Sequence, residues 1–247
     1  MEERKYVLVT GSSSGMGEEI AVQLSRDYNI ILNGRDTARL SGVCERLTGE
    51  NHVVWQYDLD DVQNVEQSLL SLISEKGIKI SYFVHCAGFM KMYPVKMLTA
   101  ELFNTSYNIN VVSAALITKT LVGRKNKKAL ENAVFISSNI SNFGAKAFSV
   151  YSSAKSGLDG LMRSLAMELA PAVRINSVLP GGIRTRMTEH MYEDEDLINR
   201  MAATYPLGLG KVNDIYQVVR FLLSEKARWI TGQQIIVDGG RTVNITG

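Results

Sequence analysis

Tyr-Val-Leu-Val-Thr-Gly-Ser-Ser-Ser-Gly-Met-Gly, residues 6–17, decides the fold class of this chain. An apolar run ends in a glycine-rich turn, and a helical pattern, Glu-Glu-Ile-Ala-Val-Gln-Leu, follows at once. Glycines let the backbone turn tightly and approach a pyrophosphate, while the first helical turn offers unpaired N–H groups to it. A simple turn that tolerates a positive φ would have the same composition, so the interpretation depends on the rest of the chain.

Short apolar runs alternate with longer amphipathic stretches along the whole sequence. The runs predicted as strands lie at 6–10, 29–33, 53–57, 81–85, 133–137, 174–179 and 234–237. The stretches predicted as helices lie at 15–27, 37–48, 61–76, 99–122, 151–170, 186–203 and 212–224. Nearly continuous apolar strands are typical of a parallel sheet covered on both faces by helices. We therefore predict an α/β Rossmann fold with a seven-stranded, parallel, doubly wound sheet in one domain, 1–247.

Composition and charge exclude several classes of function. The 247 residues are 45% hydrophobic, which indicates a globular chain with a sizeable core. With 27 basic and 25 acidic residues the net charge is only +2, so we expect no nucleic-acid partner. Cys44 and Cys86 are too few for a disulfide framework, and the three histidines are scattered, so we predict no metal site.

The N-terminal sequence predicts a protein that stays in the cytoplasm and has no membrane partner. Its first apolar run is broken at Gly11, which makes it too short for a signal peptide or a membrane span.

The end of the second strand indicates which nucleotide the chain binds. An NAD site places a carboxylate there for the ribose hydroxyls, whereas a 2′-phosphate requires that carboxylate to be absent and a guanidinium to be near. The chain has Asn33, Gly34 and Arg35 at this point, and Asp36 is predicted to cap the next helix. We predict NADP(H), favoured over NAD(H); the alternative is that Arg35 is a solvated loop residue.

Tyr151 and Lys155 are four residues apart in a predicted helix. One helical turn separates them, so both side chains point into the same space. A neighbouring cation favours a phenolate, so we expect Lys155 to lower the pKa of Tyr151 and to make its phenol a usable acid and base. The spacing alone also occurs by chance in helices where a half-buried tyrosine lies beside a solvated lysine.

The ordered set of the glycine loop, Asn110, Ser138 and Tyr151-x-x-x-Lys155 resembles the short-chain dehydrogenase/reductase family, and within it the 3-oxoacyl-[acyl-carrier-protein] reductases. The resemblance covers essentially the whole chain and includes the family's glycine pattern at Thr10, Gly11, Gly15 and Gly17. It implies an NAD(P)-dependent oxidoreductase acting on CH–OH groups.

The resemblance also implies which residues surround the cofactor. They are Gly11, Ser13, Ser14, Gly15, Met16, Gly17, Asn33, Gly34, Arg35, Asp58, Leu59, Cys86, Ala87, Gly88, Tyr151, Lys155, Pro180, Gly181, Ile183 and Thr185. The chain departs from the family at two of them. Cys86 stands where the family has the second asparagine of Asn-Asn-Ala-Gly, and Ser14 stands where many NADP-preferring members have a base, so the cofactor preference rests on Arg35 and the missing acid.

Four residues acquire catalytic roles from the resemblance. Tyr151 would donate the proton to a carbonyl oxygen, and Lys155 would stabilise its phenolate and bind the nicotinamide ribose. Ser138, thirteen residues before Tyr151, would bind the same oxygen, with Ser137 as the alternative. Asn110 would kink its helix and hold a water behind Lys155; without the resemblance it would be an ordinary solvent-facing asparagine.

Substrate choice is predicted to lie in the segment 186–209, which follows the nicotinamide segment directly. Its apolar residues are Met187, Met191, Tyr192, Leu197, Ile198 and Met201. They would form an adaptable lid, or else one face of an ordinary amphipathic helix whose acidic face is solvated.

The substrate itself is left open between an acyl thioester on a carrier protein and a small carbonyl compound. The basic run 124–128 favours an acidic carrier, whereas 171–173 lacks the expected arginine. Sugar, steroid-like and other small alcohols are the alternatives within the same chemistry. A nucleotide-sensing protein without catalysis is the alternative from another class. Helices 99–122 and 151–170 resemble the family's dimer surfaces, which implies a homodimer or homotetramer.

Overall fold

The computed structural model describes residues 4–185 and 195–244, and within them the chain forms a sheet in the order β3-β2-β1-β4-β5-β6-β7. The strands are β1 Tyr6–Thr10, β2 Asn29–Gly34, β3 Val53–Gln56, β4 Ile80–His85, β5 Asn132–Ile136, β6 Arg174–Pro180 and β7 Gln234–Val237. Every neighbouring pair is parallel. The predicted seven-stranded Rossmann sheet is therefore confirmed.

Helices connect the strands and cover both faces of the sheet. They are α1 Gly15–Leu24, α2 Thr37–Cys44, α3 Val65–Lys76, α4 Ala100–Tyr107, α5 Ser113–Val122, α6 Ser149–Leu169, α7 Glu195–Ala203 and α8 Val212–Leu223. Between α4 and α5 the chain forms a π-helical segment, Asn108–Val112. Among the described residues, no helix combines the length and the apolar character that a membrane span needs.

Alternate residues of the strands supply two separate cores, one on each face of the sheet. Leu8 and Phe83 pack into the core beneath α3, α5 and α6. Val7, Val9 and Val84 point the other way, into the core beneath α1 and α8. The central strands β1 and β4 are mostly apolar because both of their faces are buried, as expected for a doubly wound sheet.

The helix bounds differ from prediction where one continuous helix is expected at 99–122. The structure divides this stretch, because the backbone N–H of Ser113 bonds to the carbonyl of Asn108, five residues back, and so forms a π turn. The predicted helix at 61–76 is shorter and begins at Val65, after a turn.

The described part of the segment 186–209 begins at Glu195 with α7, and Asp196 in the first turn of this helix is exposed. Residues 186–194, with Met187, Met191 and Tyr192 of the predicted lid, lie outside the described residues. The lid stays a prediction.

Candidate active site

The glycine loop between β1 and α1 is shaped by close backbone contacts. Gly11 and Gly15 have φ of +65° and +62°, a conformation that favours glycine. A Cβ at Gly17 would lie 2.4 Å from the carbonyl oxygen of Gly11, and one at Gly11 would lie 2.7 Å from Cα of Ala87. The loop is thus folded tightly over the end of β4 at the N-terminus of α1, where backbone N–H groups can receive a phosphate.

A cavity of about 750 Å³ opens at the carboxyl ends of β1, β2 and β4, beside this loop. Fifteen of the predicted cofactor residues line it: Gly11, Ser13, Ser14, Gly15, Met16, Gly17, Asn33, Gly34, Arg35, Asp58, Leu59, Cys86, Ala87, Gly88 and Thr185. Further lining residues were not among the predicted ones: Arg39, Tyr57, Asp60, Phe89, Met90, Lys91, Thr105 and Ile109. The strand order reverses between β1 and β4, which is where open α/β sheets bind their ligands.

Five of the predicted cofactor residues do not line this cavity: Tyr151, Lys155, Pro180, Gly181 and Ile183. Gly181 and Ile183 line a smaller one of about 310 Å³, and Pro180 is a buried residue of β6. Tyr205 helps to hold the turn after β6 in place, because its hydroxyl accepts a hydrogen bond from the N–H of Gly182 at 2.9 Å. The phenol ring lies against the turn after β6.

Two arginines border the cavity at the end of β2. Arg35 is exposed and lies 3.6 Å from a carboxylate oxygen of Asp58. Arg39 lies in the first turn of α2, where its Nε is 3.0 Å from the carboxylate of Asp36. Asp36 also accepts a bond from the N–H of Arg39, which confirms it as the helix cap. The i, i+4 spacing from Arg35 after a predicted cap could have revealed Arg39 in the sequence.

Ser138 and Tyr151 come together across the loop that follows β5. The Ser138 hydroxyl interacts with the phenol of Tyr151, and by itself this contact lowers the pKa of the tyrosine. Ser137, the alternative partner, is buried and donates to a carboxylate oxygen of Asp159 at 2.9 Å. Of the two serines, only Ser138 is shown beside Tyr151.

The pKa of Tyr151 moves in the direction opposite to our prediction. Loss of hydration around the phenol outweighs the contact with Ser138 and raises the pKa to about 12. The Lys155 ammonium lies 5.7 Å from the ring centroid and donates to the carbonyl oxygen of Ile136 at 2.8 Å. The spacing of the two residues in the sequence cannot reveal that burial is the larger effect.

Lys155 is buried, and its pKa is lowered to about 8 because the ammonium loses hydration. Asp159, one turn further along α6 and also buried, opposes this shift through its charge. The Asp159 carboxylate is held by Ser137 and by the amide of Gln234 at 2.8 Å. Asp159 was not a predicted site residue, although it lies four residues after Lys155.

Asn110 lies in the π segment and is fully buried, so the solvent-facing alternative is wrong. Its amide nitrogen donates to the carbonyls of Ser106 at 2.8 Å and Phe89 at 3.3 Å. Its Oδ1 has no hydrogen-bond partner among the described residues. A Cβ on Gly88 would lie 3.2 Å from this oxygen and 3.6 Å from Nζ of Lys155, so both groups approach the same point on the cavity wall.

Cys86, where the chain departs from the family pattern, fills space beneath the glycine loop. Its Cβ lies 3.2 Å from the position that a Cβ on Gly17 would occupy. Loss of hydration raises the pKa of its thiol to about 12, so the group is neutral. The substitution keeps a small side chain where the loop packs on β4.

The residues present fit a dinucleotide. The glycine loop leaves no room for side chains, two arginines border one end, and an unpaired buried oxygen and an ammonium meet at Gly88. The glycine loop would receive the pyrophosphate and Lys155 would bind the nicotinamide ribose.

Comparisons with known proteins agree with this geometry. The family model described as enoyl-(acyl carrier protein) reductase matches residues 11–242. The 3-oxoacyl-[acyl-carrier-protein] reductase FabG of Buchnera aphidicola (subsp. Baizongia pistaciae) is 27% identical, with 96% of this chain and 97% of that protein covered. Human dehydrogenase/reductase SDR family member 4 is 30% identical, with 96% and 87% covered.

A solved structure of 4-hydroxyisoleucine dehydrogenase complexed with NADH superposes with a TM-score of 0.91, covering 97% of this chain and 99% of that one at 24% identity. This likeness shows the fold. Because the family model and the human relative each match almost the whole chain, the protein belongs to the short-chain dehydrogenase/reductase family of NAD(P)-dependent oxidoreductases acting on CH–OH groups.

Proposed function

We propose that the protein uses NADP(H) to interconvert a small ketone and the corresponding secondary alcohol. The observation that carries the proposal is the convergence at Gly88. Lys155 and Asn110 both approach Gly88, which lines the nucleotide cavity, and Lys155 lies beside the Tyr151 ring. A cation and an amide therefore approach one residue of the cavity wall, and the acid lies beside the cation.

A bound nicotinamide supplies or accepts the hydride. In reduction, negative charge builds on the carbonyl oxygen, and Tyr151 donates its proton while Ser138 donates a second hydrogen bond. The pKa of about 12 keeps the phenol protonated at neutral pH, as a proton donor requires. The Lys155 ammonium stabilises the phenolate that remains, and Oδ1 of Asn110, which has no partner among the described residues, is an acceptor for a water held behind Lys155.

Arg35 and Arg39 support the preference for NADP(H), because both line the cavity where β2 ends. Arg35 is 72% exposed and its partner Asp58 is 47% exposed, so their ion pair is worth only about 0–1 kcal/mol. A 2′-phosphate carries more charge and can take both arginines as partners, because guanidinium groups match phosphate geometry.

A small substrate is favoured over one delivered by a carrier protein. The basic run 124–128 precedes β5, and its Asn126 bonds to both backbone groups of Ile80 at the start of β4. This run therefore lies at the amino ends of the strands, whereas the cavity opens at their carboxyl ends. The experiment described below therefore also includes an acyl thioester as a possible substrate.

We also propose that copies of the chain associate as a dimer or tetramer. Trp229 is 91% exposed and Met167 of α6 is 67% exposed, and Met167 lies beside Gly232. The exposed Met167 on α6 agrees with the association surface that the family resemblance implies for 151–170. Light scattering on the purified protein gives the number of copies.

The decisive experiment follows NADPH oxidation by the purified protein with simple ketones, keto sugars and an acetoacetyl thioester. We expect turnover with at least one small ketone or keto sugar. NADPH binding without turnover on any of them would contradict the proposal and favour a nucleotide-sensing role. Activity confined to the thioester would replace the proposed substrate class.

A further inference from the structure

Asp159 lies on the face of α6 that packs against the sheet, and it is only 1% exposed. One oxygen of its carboxylate, Oδ2, accepts hydrogen bonds from the Ser137 hydroxyl at 2.9 Å and from the Gln234 amide at 2.8 Å. Ser137 directly follows β5, and Gln234 is the first residue of β7, so the two donors come from opposite sides of β6. A single carboxylate oxygen therefore bridges β5 and β7 across the strand between them.

Ser177 of β6 lies on the same face of the sheet as this bridge. It is the register partner of Gln234, whose amide bonds to Asp159. Ile175 belongs to the core on the α6 side of the sheet and Val178 to the core on the other side, so the alternation along β6 directs Ser177 towards α6. The Ser177 side chain is fully buried.

The second carboxylate oxygen of Asp159, Oδ1, and the hydroxyl oxygen of Ser177 are both buried and have no hydrogen-bond partner among the described residues. Burial of a carboxylate is unfavourable unless hydrogen bonds replace its hydration, and buried polar atoms are normally paired with protein groups or with ordered water. A water molecule can donate to Oδ1 and bond to the hydroxyl at the same time, and two polar partners are enough to hold it. The two unpaired atoms thus have the chemistry of an internal water site.

The bridge anchors the end of β5, where the proposed reaction needs a fixed backbone. Ser137 lies between Ser138 and Ile136, whose carbonyl accepts the hydrogen bond of the Lys155 ammonium at 2.8 Å. The Ser137 hydroxyl also lies 3.4 Å from the main-chain carbonyl of Lys155, but its one proton goes to the carboxylate, which is closer and charged. Asp159 therefore holds the stretch of backbone that carries Ser138 and receives the ammonium.

We propose that Asp159 is a positioning residue whose Oδ1, together with the hydroxyl of Ser177, binds one internal water molecule. Carboxylate and water then form a hydrogen-bonded bridge across β5, β6 and β7 that fixes the backbone of Ser138. This role depends on the hydrogen bonds of the carboxylate, whereas its effect on the Lys155 ammonium depends on its charge. The kinetic consequence rests on the proposed function, but the bridge and the water site do not.

A crystal structure of the wild-type protein, at a resolution that shows ordered water, tests the site without any substrate. We expect one water within about 3 Å of both Oδ1 of Asp159 and the hydroxyl oxygen of Ser177. In Ser177→Ala this water loses one of its two protein partners, and its density should weaken or disappear. A direct hydrogen bond between the two groups, no ordered water beside them, or unchanged density in Ser177→Ala would overturn the water site.

Variants of Asp159 separate its hydrogen bonds from its charge. Both donors bond to one oxygen, so Asp159→Asn keeps an acceptor for them and loses only the charge, whereas Asp159→Leu loses both. We compare kcat at the pH optimum of each variant. We expect a fall of about tenfold to a hundredfold in Asp159→Leu, because a displacement of about 1 Å costs this much, and of less than about threefold in Asp159→Asn. Equal kcat in the two variants would refute the positioning role.

Ser137→Ala is a second test that keeps the carboxylate and breaks the bridge at β5. We expect kcat to fall about tenfold. Ser25→Ala is the matched control, because Ser25 is also buried and donates to the carbonyl of Val22 at 2.7 Å, away from the cavity. It should lower the unfolding temperature without changing kcat. Equal kcat in Ser137→Ala and Ser25→Ala would also refute the positioning role. The bridging water in a protein without turnover would leave the site and remove the proposed function.

Discussion

The ammonium of Lys155 lies 5.7 Å from the centre of the Tyr151 ring, and its hydrogen bond goes to the carbonyl of Ile136. Although the two side chains are neighbours, the ammonium lies over the Tyr151 ring and donates its hydrogen bond to a backbone carbonyl. Burial keeps the phenol protonated at neutral pH, and the ammonium is held beside its ring.

Tyr151→Phe removes the proton donor and leaves the ring in place. We expect an unchanged fold and NADPH affinity, and a loss of about 10²-fold to 10⁴-fold in kcat, the usual contribution of a positioned acid. Stopped-flow turnover and fluorescence titration measure the two quantities. Reduction at the wild-type rate would exclude Tyr151 as the acid.

Lys155→Ala removes the ammonium that we propose stabilises the Tyr151 phenolate and binds the nicotinamide ribose. Loss of a hydrogen bond to a charged group costs about 1.5–3 kcal/mol, so we expect kcat and NADPH affinity each to fall about tenfold or more. Lys119→Ala, which removes an exposed lysine paired with Glu66, is the control and should change neither. An effect on only one of the two quantities would show that Lys155 has one role.

Asp159→Asn tests the electrostatic support of Lys155. The carboxylate raises the pKa of the lysine against the effect of burial, so its neutralisation should lower that pKa below its value of about 8. The basic limb of the pH profile of kcat/KM should then move to lower pH. Glu168→Gln makes the same charge change at an exposed position of α6 and should leave the profile in place. A shift to higher pH in Asp159→Asn would contradict the assigned coupling.

Arg35→Asp tests the cofactor preference. The new carboxylate would face Asp58 and repel a 2′-phosphate while accepting bonds from ribose hydroxyls, so KM for NADPH should rise by about tenfold or more relative to that for NADH. Lys226→Asp makes the same charge change away from the cavity. Equal rises for both cofactors would disprove the role of Arg35.

Gly17→Ala tests the close packing of the phosphate loop. The added methyl would lie 2.4 Å from the carbonyl oxygen of Gly11, so we expect a loss of about 1–3 kcal/mol in unfolding free energy together with weaker NADPH binding. Gly42→Ala, within α2 and with open space around it, should instead stabilise by about 0.5–1 kcal/mol. Chemical denaturation compares them; equal effects would contradict the packing argument.

The sheet and the phosphate loop could be predicted because their signals are local. Apolar runs mark the strands, and the glycines mark the turn whatever the remaining chain does. Asp159 escaped prediction because its role depends on which residues fold against it. The pKa of Tyr151 was predicted wrongly for the same reason, since the sequence shows a neighbouring lysine but not the loss of water.

Local sequence does not mark the π turn, because Asn108–Val112 contains no glycine or proline, and the kink at Asn110 was expected only from the family resemblance. Asn110 was found only through its resemblance to a family position. The choice between Ser137 and Ser138 likewise required the fold, which turns one towards Asp159 and the other towards Tyr151.

The π turn at Asn108–Val112 lies between α4 and α5 and changes the direction in which the side chains of α5 point relative to those of α4. An α-helix advances 100° for each residue, so one additional residue in a turn rotates everything beyond it by about that angle. α4 can then contact α6 while α5 contacts α3. Deletion of one residue here would rotate α5 relative to α4 by about 100°, so the two helices could not both keep their present contacts.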